Sequence, residues 1–520
     1  MVARRFSSLA VADHAGRLTT SPRQAARVNR QVDISQLTLP DRIETLRRGR
    51  APINLDDRER IILLPLHSLF RRIAVAGFLA IGLVLLLQPL FVGLLVGTRV
   101  TADLPAIRAH ITQAFTDGYL AVDEKPRRFI HGGGHQFTEC AGLLVAIDPE
   151  PDPLMAALHP VMHSPYVGPC GEVESLARGV ATDKRTDYAR YWHGYRVYLW
   201  PMLSTFSLEA VRMANLVVLY AATAYYFFGM RRAVGATPAL VFFIVQMSLT
   251  DIWRMWNITT HTLSTILILA GTGLFAFVYP RTRNLTLTIV MAAAFGALFN
   301  FIDFLINPPL MPMLLAFIVL AIELQRPVPV VKENVVPALL KAGFVALAWF
   351  GGYGLTWASE WLLAVWVLPD GQQAGLSIIK QIALRLYGVE ADSVVPMYPL
   401  IPTLTMILQS FISVGSVVVA LLAAAMAVFL RAHWPALDRR RFLLLSSPTL
   451  IAMAWFEILN NHTQTHSHFT YRSESAAIAI VFAAALLATD APATLQSLLG
   501  GLWRTVMRRT TSQPSASSPA

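Results

Sequence analysis

The chain has 520 residues, of which 55% are hydrophobic and only 14% are charged, and its formal net charge is +11. A soluble protein carries about one charged residue in four, so the composition excludes an ordinary globular protein. The apolar runs are continuous and many approach the ~20 residues that a membrane-spanning helix needs, which argues against a β-barrel. We therefore expect an all-α polytopic membrane protein.

The ends of the chain differ in composition from the middle. Residues 1–72 are polar and rich in arginine. Arg4 and Arg5 resemble a twin-arginine signal, but no apolar segment follows them, so we interpret 1–72 as a cytoplasmic tail. Residues 73–489 form the expected transmembrane domain. Residues 490–520 end in a Ser/Pro-rich stretch that is typical of a disordered cytoplasmic tail.

The apolar runs predict about ten transmembrane helices. They are 73–97, 209–228, 238–256, 262–279, 285–306, 309–324, 338–357, 400–430, 442–460 and 475–489. Basic residues follow every even-numbered run, which by the positive-inside rule places both termini in the cytoplasm. The basic residues therefore indicate topology, and no nucleic-acid partner is expected. The segments 98–208 and 358–399 then become large outer loops, and the protein is expected in a bacterial inner membrane.

The first outer loop contains a predicted amphipathic helix, DLPAIRAHITQAFTDGYLA, followed by FIHGGGHQFTECAGL. Glu139 in the second stretch has two interpretations: a surface carboxylate or helix cap, or a general base or metal ligand close to the membrane. Cys140 and Cys170 are the only cysteines, and in an oxidising compartment they are predicted to form a disulfide.

The loop ends in DYARYWHGYRVYLWP, which is dense in aromatic residues. Trp192 and Tyr195 fit an interfacial belt. His193 and Arg196, interleaved with the aromatic residues of this segment, also suit the binding of a sugar or phosphate, because aromatic faces combined with arginine are common in such sites.

Polar residues stand at the outer ends of several predicted spans, where they could ring a cavity. A charged residue at such a depth is costly unless it faces protein or water. The candidates for this substrate cavity are Trp192, Tyr195, Arg254, Asn257, Asp303, Trp357, Glu360 and Tyr471.

The stretch Trp455–Ser475 is unusually polar for a turn between two apolar runs. Tyr471 and Arg472, with His462 and His466, could bind an anionic headgroup, with Arg472 as the phosphate fork. The alternatives are a zinc site, since the two histidines are four residues apart, and an interfacial loop without a function. There is no HExxH pattern, so hydrogen bonding is favoured over metal binding.

Several stretches together resemble the GT-C superfamily of membrane glycosyltransferases, by way of uncharacterised bacterial membrane proteins. They are HQFTECAGL, RYWHGYRVYLWP, NFIDFLINPPL, YGLTWASEW and NNHTQTHSHFTYR. The resemblance implies a GT-C-like fold and transfer of a sugar from a polyprenyl phosphate to an extracytoplasmic glycan, lipid or protein acceptor. Membrane lipids would be further partners. No fixed cofactor is implied, although a divalent metal is compatible.

In GT-C enzymes an acid of the first outer loop is the catalytic base. The resemblance implies Glu139 for that role, with Asp103 and Asp117 as alternatives. Arg472, Arg196 and the histidines would then stabilise the phosphate as it leaves. Three other functions remain open: a transporter or flippase of a lipid-linked sugar, a non-catalytic assembly partner, and a ligase or acyltransferase that uses His193 or His466 as its base.

Overall fold

A computed structural model describes most of the chain from residue 55 to residue 489. The described ranges are 55–130, 133–163, 168–180, 185–303, 305–324, 332–367, 371–387, 389–390, 393–394, 398–412, 415–432 and 437–489. The predicted tail at 490–520 and most of the tail at 1–72 lie outside these ranges, as does part of the loop 358–399. The chain divides into two units, residues 1–65 and 66–520, and the described part of the first unit is helical.

The first half of the chain contains the first outer loop and its flanking helices. Its elements are α1 (Leu55–Thr101), α2 (Leu104–Thr116), α3 (Gly133–Ala146), α4 (Pro153–Leu158), β1 (Val161–His163), α5 (Pro169–Ala177), β2 (Arg185–Asp187), α6 (Arg196–Thr205), α7 (Leu208–Val234), α8 (Ala236–Ser248) and a 3₁₀ helix (Ile252–Asn257).

The second half is again mostly helical. Its elements are α9 (Thr259–Thr282), α10 (Leu285–Ile302), α11 (Leu310–Leu324), α12 (Lys332–Val367), α13 (Gly371–Tyr387), β3 (Val389–Glu390), β4 (Ser393–Val394), α14 (Ile401–Ser410), α15 (Gly415–Ala432), α16 (Arg439–Ser446), α17 (Thr449–Ile458), α18 (Asn460–Thr465), α19 (Ser467–Thr470) and α20 (Arg472–Leu487). The strands form two antiparallel pairs, β1 with β2 and β3 with β4.

The multi-pass membrane architecture is confirmed by the length and hydropathy of the helices. Within the described residues, 6 helices are long and apolar enough to cross a membrane, or up to 8 if each of two bent helix pairs is one span. The predicted spans 238–256 and 309–324 do not qualify by length, because α8 has 13 residues and α11 has 15. At ~1.5 Å per residue, each is shorter than the ~30 Å hydrocarbon layer.

Contacts along α7 and α9 show that these two helices run in parallel. Asn215 donates to Thr262, and further along both helices Tyr225 packs against Phe277. Helix α8 and the 3₁₀ helix therefore return the chain along the full length of α7. The sequence correctly located this return but missed that its second part is not α-helical, because the run 238–256 is apolar almost to its end.

Helix α11 returns the chain in the same way between α10 and α12. Glu323 near its end accepts from Tyr279 of α9 and from Lys341 near the start of α12, the latter at 2.8 Å. The helix is buried along almost its whole length. A short helix can be accommodated here because protein, not lipid, surrounds it. We call the end of the bundle where α9 begins and α10 ends the site end.

Residues 98–208, the predicted first outer loop, form most of a second hydrophobic core, to which α1, α7 and α10 also contribute. This core includes Ile107 and Leu144 and the two cysteines, Cys140 and Cys170, which form a disulfide that joins α3 to α5. Its short helices begin at capping residues: Asp103 accepts from the backbone at the start of α2, and Asp152 does so at the start of α4. Such caps satisfy amide groups that a helix start leaves without partners.

Helices α10 and α12 approach each other so closely that only glycine fits between them. A Cβ at Gly352 would lie 2.0 Å from the carbonyl oxygen of Ala293, whereas a Cβ at Gly351 would meet nothing within 4 Å. We expect Gly352→Ala to lower the free energy of unfolding by about 1–3 kcal/mol. Gly351→Ala, the control, should leave it unchanged or raise it by up to ~1 kcal/mol. Thermal unfolding in detergent measures both, and equal melting temperatures would contradict the prediction.

Candidate functional site

The site end of the bundle holds an ion pair between Asp251 and Arg472. Arg472 Nε donates to Asp251 Oδ1 at 2.5 Å, and Arg472 Nη2 donates to Oδ2 at 2.9 Å. His135 Nε2 lies 2.9 Å from the same Oδ2. The side chain of Arg472 is 2% exposed, whereas those of Asp251 and His135 are 18% and 22% exposed. The acid and the imidazole therefore reach solvent, and the arginine is buried. We call these three residues the Asp251 cluster.

The three residues of the Asp251 cluster come from distant parts of the chain. Asp251 follows the end of α8, where the helix gives way to the 3₁₀ helix. Arg472 begins α20, and His135 lies in the first turn of α3 in the outer loop. The cluster thus joins the loop to two elements of the helix bundle. His261 and His468 lie within electrostatic range of it.

The electrostatics of the cluster keep Asp251 charged. Burial alone would raise the pKa of the Asp251 carboxyl, but the charge of Arg472, together with hydrogen bonds from His135 and Arg472, outweighs burial and holds the pKa well below its usual range. When His135 Nε2 donates its proton to this carboxylate, Nδ1 is the atom that can accept a proton. A carboxylate that orients an imidazole in this way is the arrangement of a general base.

Glu139 is fully buried and saturated with hydrogen bonds. The backbone N–H and the hydroxyl of Thr259 donate to Oε1 at 3.1 and 2.7 Å, and those of Thr260 donate to Oε2 at 3.2 and 3.1 Å. Arg212 Nη2 lies 3.5 Å from Oε1. The carboxylate therefore caps the start of α9 and balances a buried arginine. The predicted role as catalytic base remains untested, but this geometry favours an anchoring role.

Arg196 is buried and donates only to backbone carbonyl groups. Its Nη1 donates to Ala156 at 2.6 Å and its Nη2 to Ala157 at 2.9 Å. Other donors reach the carbonyl oxygens of Trp192 and His193. Burial lowers the pKa of Arg196 to about 10, so the side chain stays protonated at neutral pH. It holds α4 against α6, and a phosphate would have to displace these contacts.

His193 and its neighbours fix the aromatic segment to the helix bundle. Gly194 donates to the carbonyl oxygen of Phe301 at 2.7 Å, and Trp192 Nε1 donates to that of Thr356 at 2.9 Å. Tyr195 and His193 are buried, and burial, followed by the charge of Arg196, lowers the pKa of the His193 imidazole well below its usual value. The segment therefore has a packing role, and His193 is neutral at physiological pH.

His462 positions a second arginine, Arg385 of α13. Its Nε2 lies 2.9 Å from the carbonyl oxygen of Leu305, and its Nδ1 lies 2.5 Å from Arg385 Nη1. Because an arginine can only donate, His462 Nδ1 accepts and Nε2 carries the proton. Arg385 also donates at 2.5 Å to the hydroxyl of Tyr191. The His466 ring packs against that of His462 at a tilt of 55°, with the two centroids 4.7 Å apart.

A cavity of about 180 Å³ opens beside Arg385. Its wall is almost entirely aromatic and aliphatic, and includes Tyr191, Trp357, Trp361, Ile382 and Leu459. Trp357 Nε1 donates to the carbonyl oxygen of Arg190, so the indole rings are held in place. The sequence predicted Trp357 as a cavity residue, and the structure places it on this wall.

The other predicted cavity residues take different places. Asp303 is buried and accepts from the N–H of Ile306, while Glu360 is buried on α12. Asn257 is buried at the end of the 3₁₀ helix, whereas Arg254 is exposed over the ring of Trp253. Tyr471, also predicted for the cavity, lies beside Arg472, with its ring centroid 5.7 Å from the guanidinium carbon.

The two alternative acids of the first outer loop lie at helix ends. Asp103 caps the start of α2, and Asp117 follows its end and accepts from Gln113 at 2.8 Å. Neither is among the contacts of the Asp251 cluster. Within the described ranges, no group of three or more His, Cys, Asp and Glu side chains could hold a metal ion.

Sequence reasoning identified Arg472 but missed its partners. His135 is one of several histidines in the predicted outer loop, and Asp251 stands only three residues before Arg254, so neither stands out in the sequence. The usable signal was an acid placed directly after an apolar run, since such a residue needs a buried partner. Which cation supplies that partner is decided by the fold, because the two residues are more than 200 positions apart in the chain.

The anchoring role of Glu139 has a measurable consequence. Glu139→Ala leaves Arg212 without its acidic partner and removes the cap of α9, so we expect a loss of about 3–5 kcal/mol in the free energy of unfolding. Glu209→Gln, at an exposed position of α7, removes an acid but keeps a hydrogen-bonding side chain beside Tyr119; it is the control and should change the free energy of unfolding by less than ~0.5 kcal/mol. Denaturation in detergent compares the two variants. A stable, well-folded Glu139→Ala protein would contradict the anchoring role.

The neutral histidines predict a loss of stability in mild acid. Burial, and then the charge of Arg385, lowers the pKa of His462 well below its usual value and that of His466 to about 4. The unfolded chain takes up these protons near pH 6.5 and the folded chain does not. Stability is therefore complete above pH ~6.5 and falls below it, by up to ~1.4 kcal/mol per pH unit for each histidine, until the folded pKa is reached.

Melting temperatures at pH 7.5 and 5.0 measure this effect. Asp251 contributes nothing in this window, because its lowered pKa matters only near or below the ordinary carboxyl range. His462→Gln should show a smaller difference between the two pH values than the wild type. A His462→Gln protein with the same difference between the two pH values as the wild type would rule out the contribution of His462.

Comparisons of the chain with protein-family models, with curated proteins and with solved structures found no match. The geometry of the described residues is therefore the basis for the function proposed next.

Proposed function

We propose that this protein is a membrane glycosyltransferase that moves a sugar from a polyprenyl phosphate to an extracytoplasmic acceptor. The observation that carries the proposal is the Asp251 cluster: a charged carboxylate, fixed by a buried arginine, orients a partly exposed histidine. Such a group can remove a proton from an acceptor hydroxyl beside the membrane. A polyprenyl-phosphate sugar is proposed as the donor because stretches of the sequence resemble the GT-C superfamily.

In the proposed reaction, His135 is the general base. The acceptor hydroxyl gives its proton to His135 Nδ1 as its oxygen bonds to the anomeric carbon of the sugar. The bond between that carbon and the phosphate oxygen breaks, and the phosphate leaves with the electron pair. Asp251 stabilises the imidazolium, and Arg472 holds Asp251 in place. Arg472 is thus a positioning residue, since both arms of its fork are already on the carboxylate.

The proposal includes the topology predicted from the sequence. Counting α8 and α11 as crossings, in addition to the spans that qualify by length, gives about ten passages with both termini on one side. Basic residues such as Arg231 and Arg281 lie at the opposite end of the helices from the Asp251 cluster. By the positive-inside rule that end is cytoplasmic, which puts the cluster on the extracytoplasmic face.

The test is transfer of radiolabelled sugar from a polyprenyl-phosphate pool in membranes. We expect His135→Gln and Asp251→Asn to reduce transfer by at least about 100-fold, the usual contribution of a general base. Two matched controls come from the same loop: His110→Gln on α2, and Asp152→Asn, which exchanges one good helix cap for another. Both should transfer at close to the wild-type rate. Melting temperatures show whether each variant is folded.

Two results would overturn the proposal. If folded His135→Gln and Asp251→Asn proteins transfer sugar at the wild-type rate, the Asp251 cluster is not the site of proton removal. If the wild type transfers no sugar but moves a lipid-linked sugar across reconstituted vesicles, the transporter alternative is supported instead.

A further inference from the structure

The cavity beside Arg385 combines a positive charge with an apolar wall. Arg385 donates to Tyr191 and His462, which are both uncharged, and no acid within the described part of the chain forms an ion pair with it. By contrast, Arg472 and Arg212 are each paired with a carboxylate. A half-buried guanidinium with only neutral partners keeps its full attraction for an anion.

The contacts of Arg385 fix its direction without neutralising it. The Tyr191 hydroxyl and His462 Nδ1 each hold one terminal nitrogen, and the proton of His462 is committed to Leu305. Arg190 also lines the cavity, with its guanidinium carbon 4.3 Å from the ring of Tyr188. The guanidinium of Arg385 is therefore fixed in place beside an almost wholly apolar wall, and this preorganisation reduces the entropy cost of binding an anion.

The rest of the cavity suits hydrocarbon. Trp357, Trp361 and Ile382 contribute an almost wholly apolar surface to its ~180 Å³ volume. A dry apolar cavity of about 150 Å³ is enough to hold a benzene ring, so this one can take several carbons next to a headgroup. Outside the cavity, α13 exposes Leu376 and Ile379, which extend an apolar surface along the same helix.

We propose that this cavity binds an anionic amphiphile, a phosphate ester whose anionic oxygens contact Arg385 and whose hydrocarbon chain lies against Trp357, Trp361 and Ile382. Charge complementarity selects the phosphate, and the apolar wall selects the chain. Neither a free phosphate nor a neutral detergent satisfies both parts of the cavity. This binding does not depend on sugar transfer, so it can be tested without turnover.

The test is a scintillation proximity assay with radiolabelled dodecyl phosphate and the full-length protein in micelles of dodecyl maltoside, a neutral competitor. Arg385→Gln should raise the Kd at least about tenfold. Lys380→Gln removes the same charge from an exposed position on the same helix and should leave the Kd unchanged. Ile382→Trp fills the cavity but keeps the charge, and should also weaken binding at least about tenfold. Excess inorganic phosphate should not displace the label.

Wild-type binding by a folded Arg385→Gln protein, or equal weakening by Lys380→Gln, would overturn the proposal. Displacement by inorganic phosphate as effective as displacement by unlabelled dodecyl phosphate would reduce the cavity to an anion site, which contradicts the amphiphile. If Arg385→Gln does not fold, Ile382→Trp decides: binding at the wild-type Kd by the folded Ile382→Trp protein would overturn the proposal.

Discussion

The hydrogen bonding of Glu139 to the start of α9 is the contact on which the geometry of the site depends. Two threonines donate four hydrogen bonds to this carboxylate, and Arg212 lies beside it. Residues four apart share one face of a helix, so His135 stands one turn before Glu139 on α3. Fixing Glu139 therefore fixes the height and rotation at which His135 meets Asp251. The disulfide from Cys140 to α5 restrains the same helix from its next residue.

Four of the buried or half-buried arginines near the site end are compensated in three different ways. Arg472 and Arg212 have carboxylates, Arg196 has backbone carbonyl oxygens, and Arg385 has a hydroxyl and an imidazole. Where carboxylates or carbonyl oxygens already satisfy the guanidinium, an anionic ligand would gain little by binding there. The neutral partners of Arg385 hold it in place without neutralising its charge. This distinguishes Arg385, the proposed anion-binding arginine, from the other three.

The sequence predicted the membrane architecture because length and hydropathy dictate it directly. It predicted less of the site. Glu139 was expected to act on substrate from the GT-C resemblance, and Arg196 because arginine among aromatic residues suits a sugar or phosphate site, yet the fold satisfies both internally. A buried charged group needs a partner, but sequence cannot show whether a ligand or the protein supplies it. The pairing of Asp251 with Arg472 depends on how distant helices pack, and no local pattern encodes it.

The breaks in the helices explain why polar groups gather at the site end. Helix α8 ends before Asp251, and the chain breaks again between α17 and α18, just before His462. At each break backbone groups lose their helical partners, and within a membrane protein such a segment is tolerated only where protein or water satisfies it. The sequence Trp455–Ser475 contains short helices rather than a turn. Its polar side chains are therefore buried among other polar groups, where they position Arg385 and Asp251.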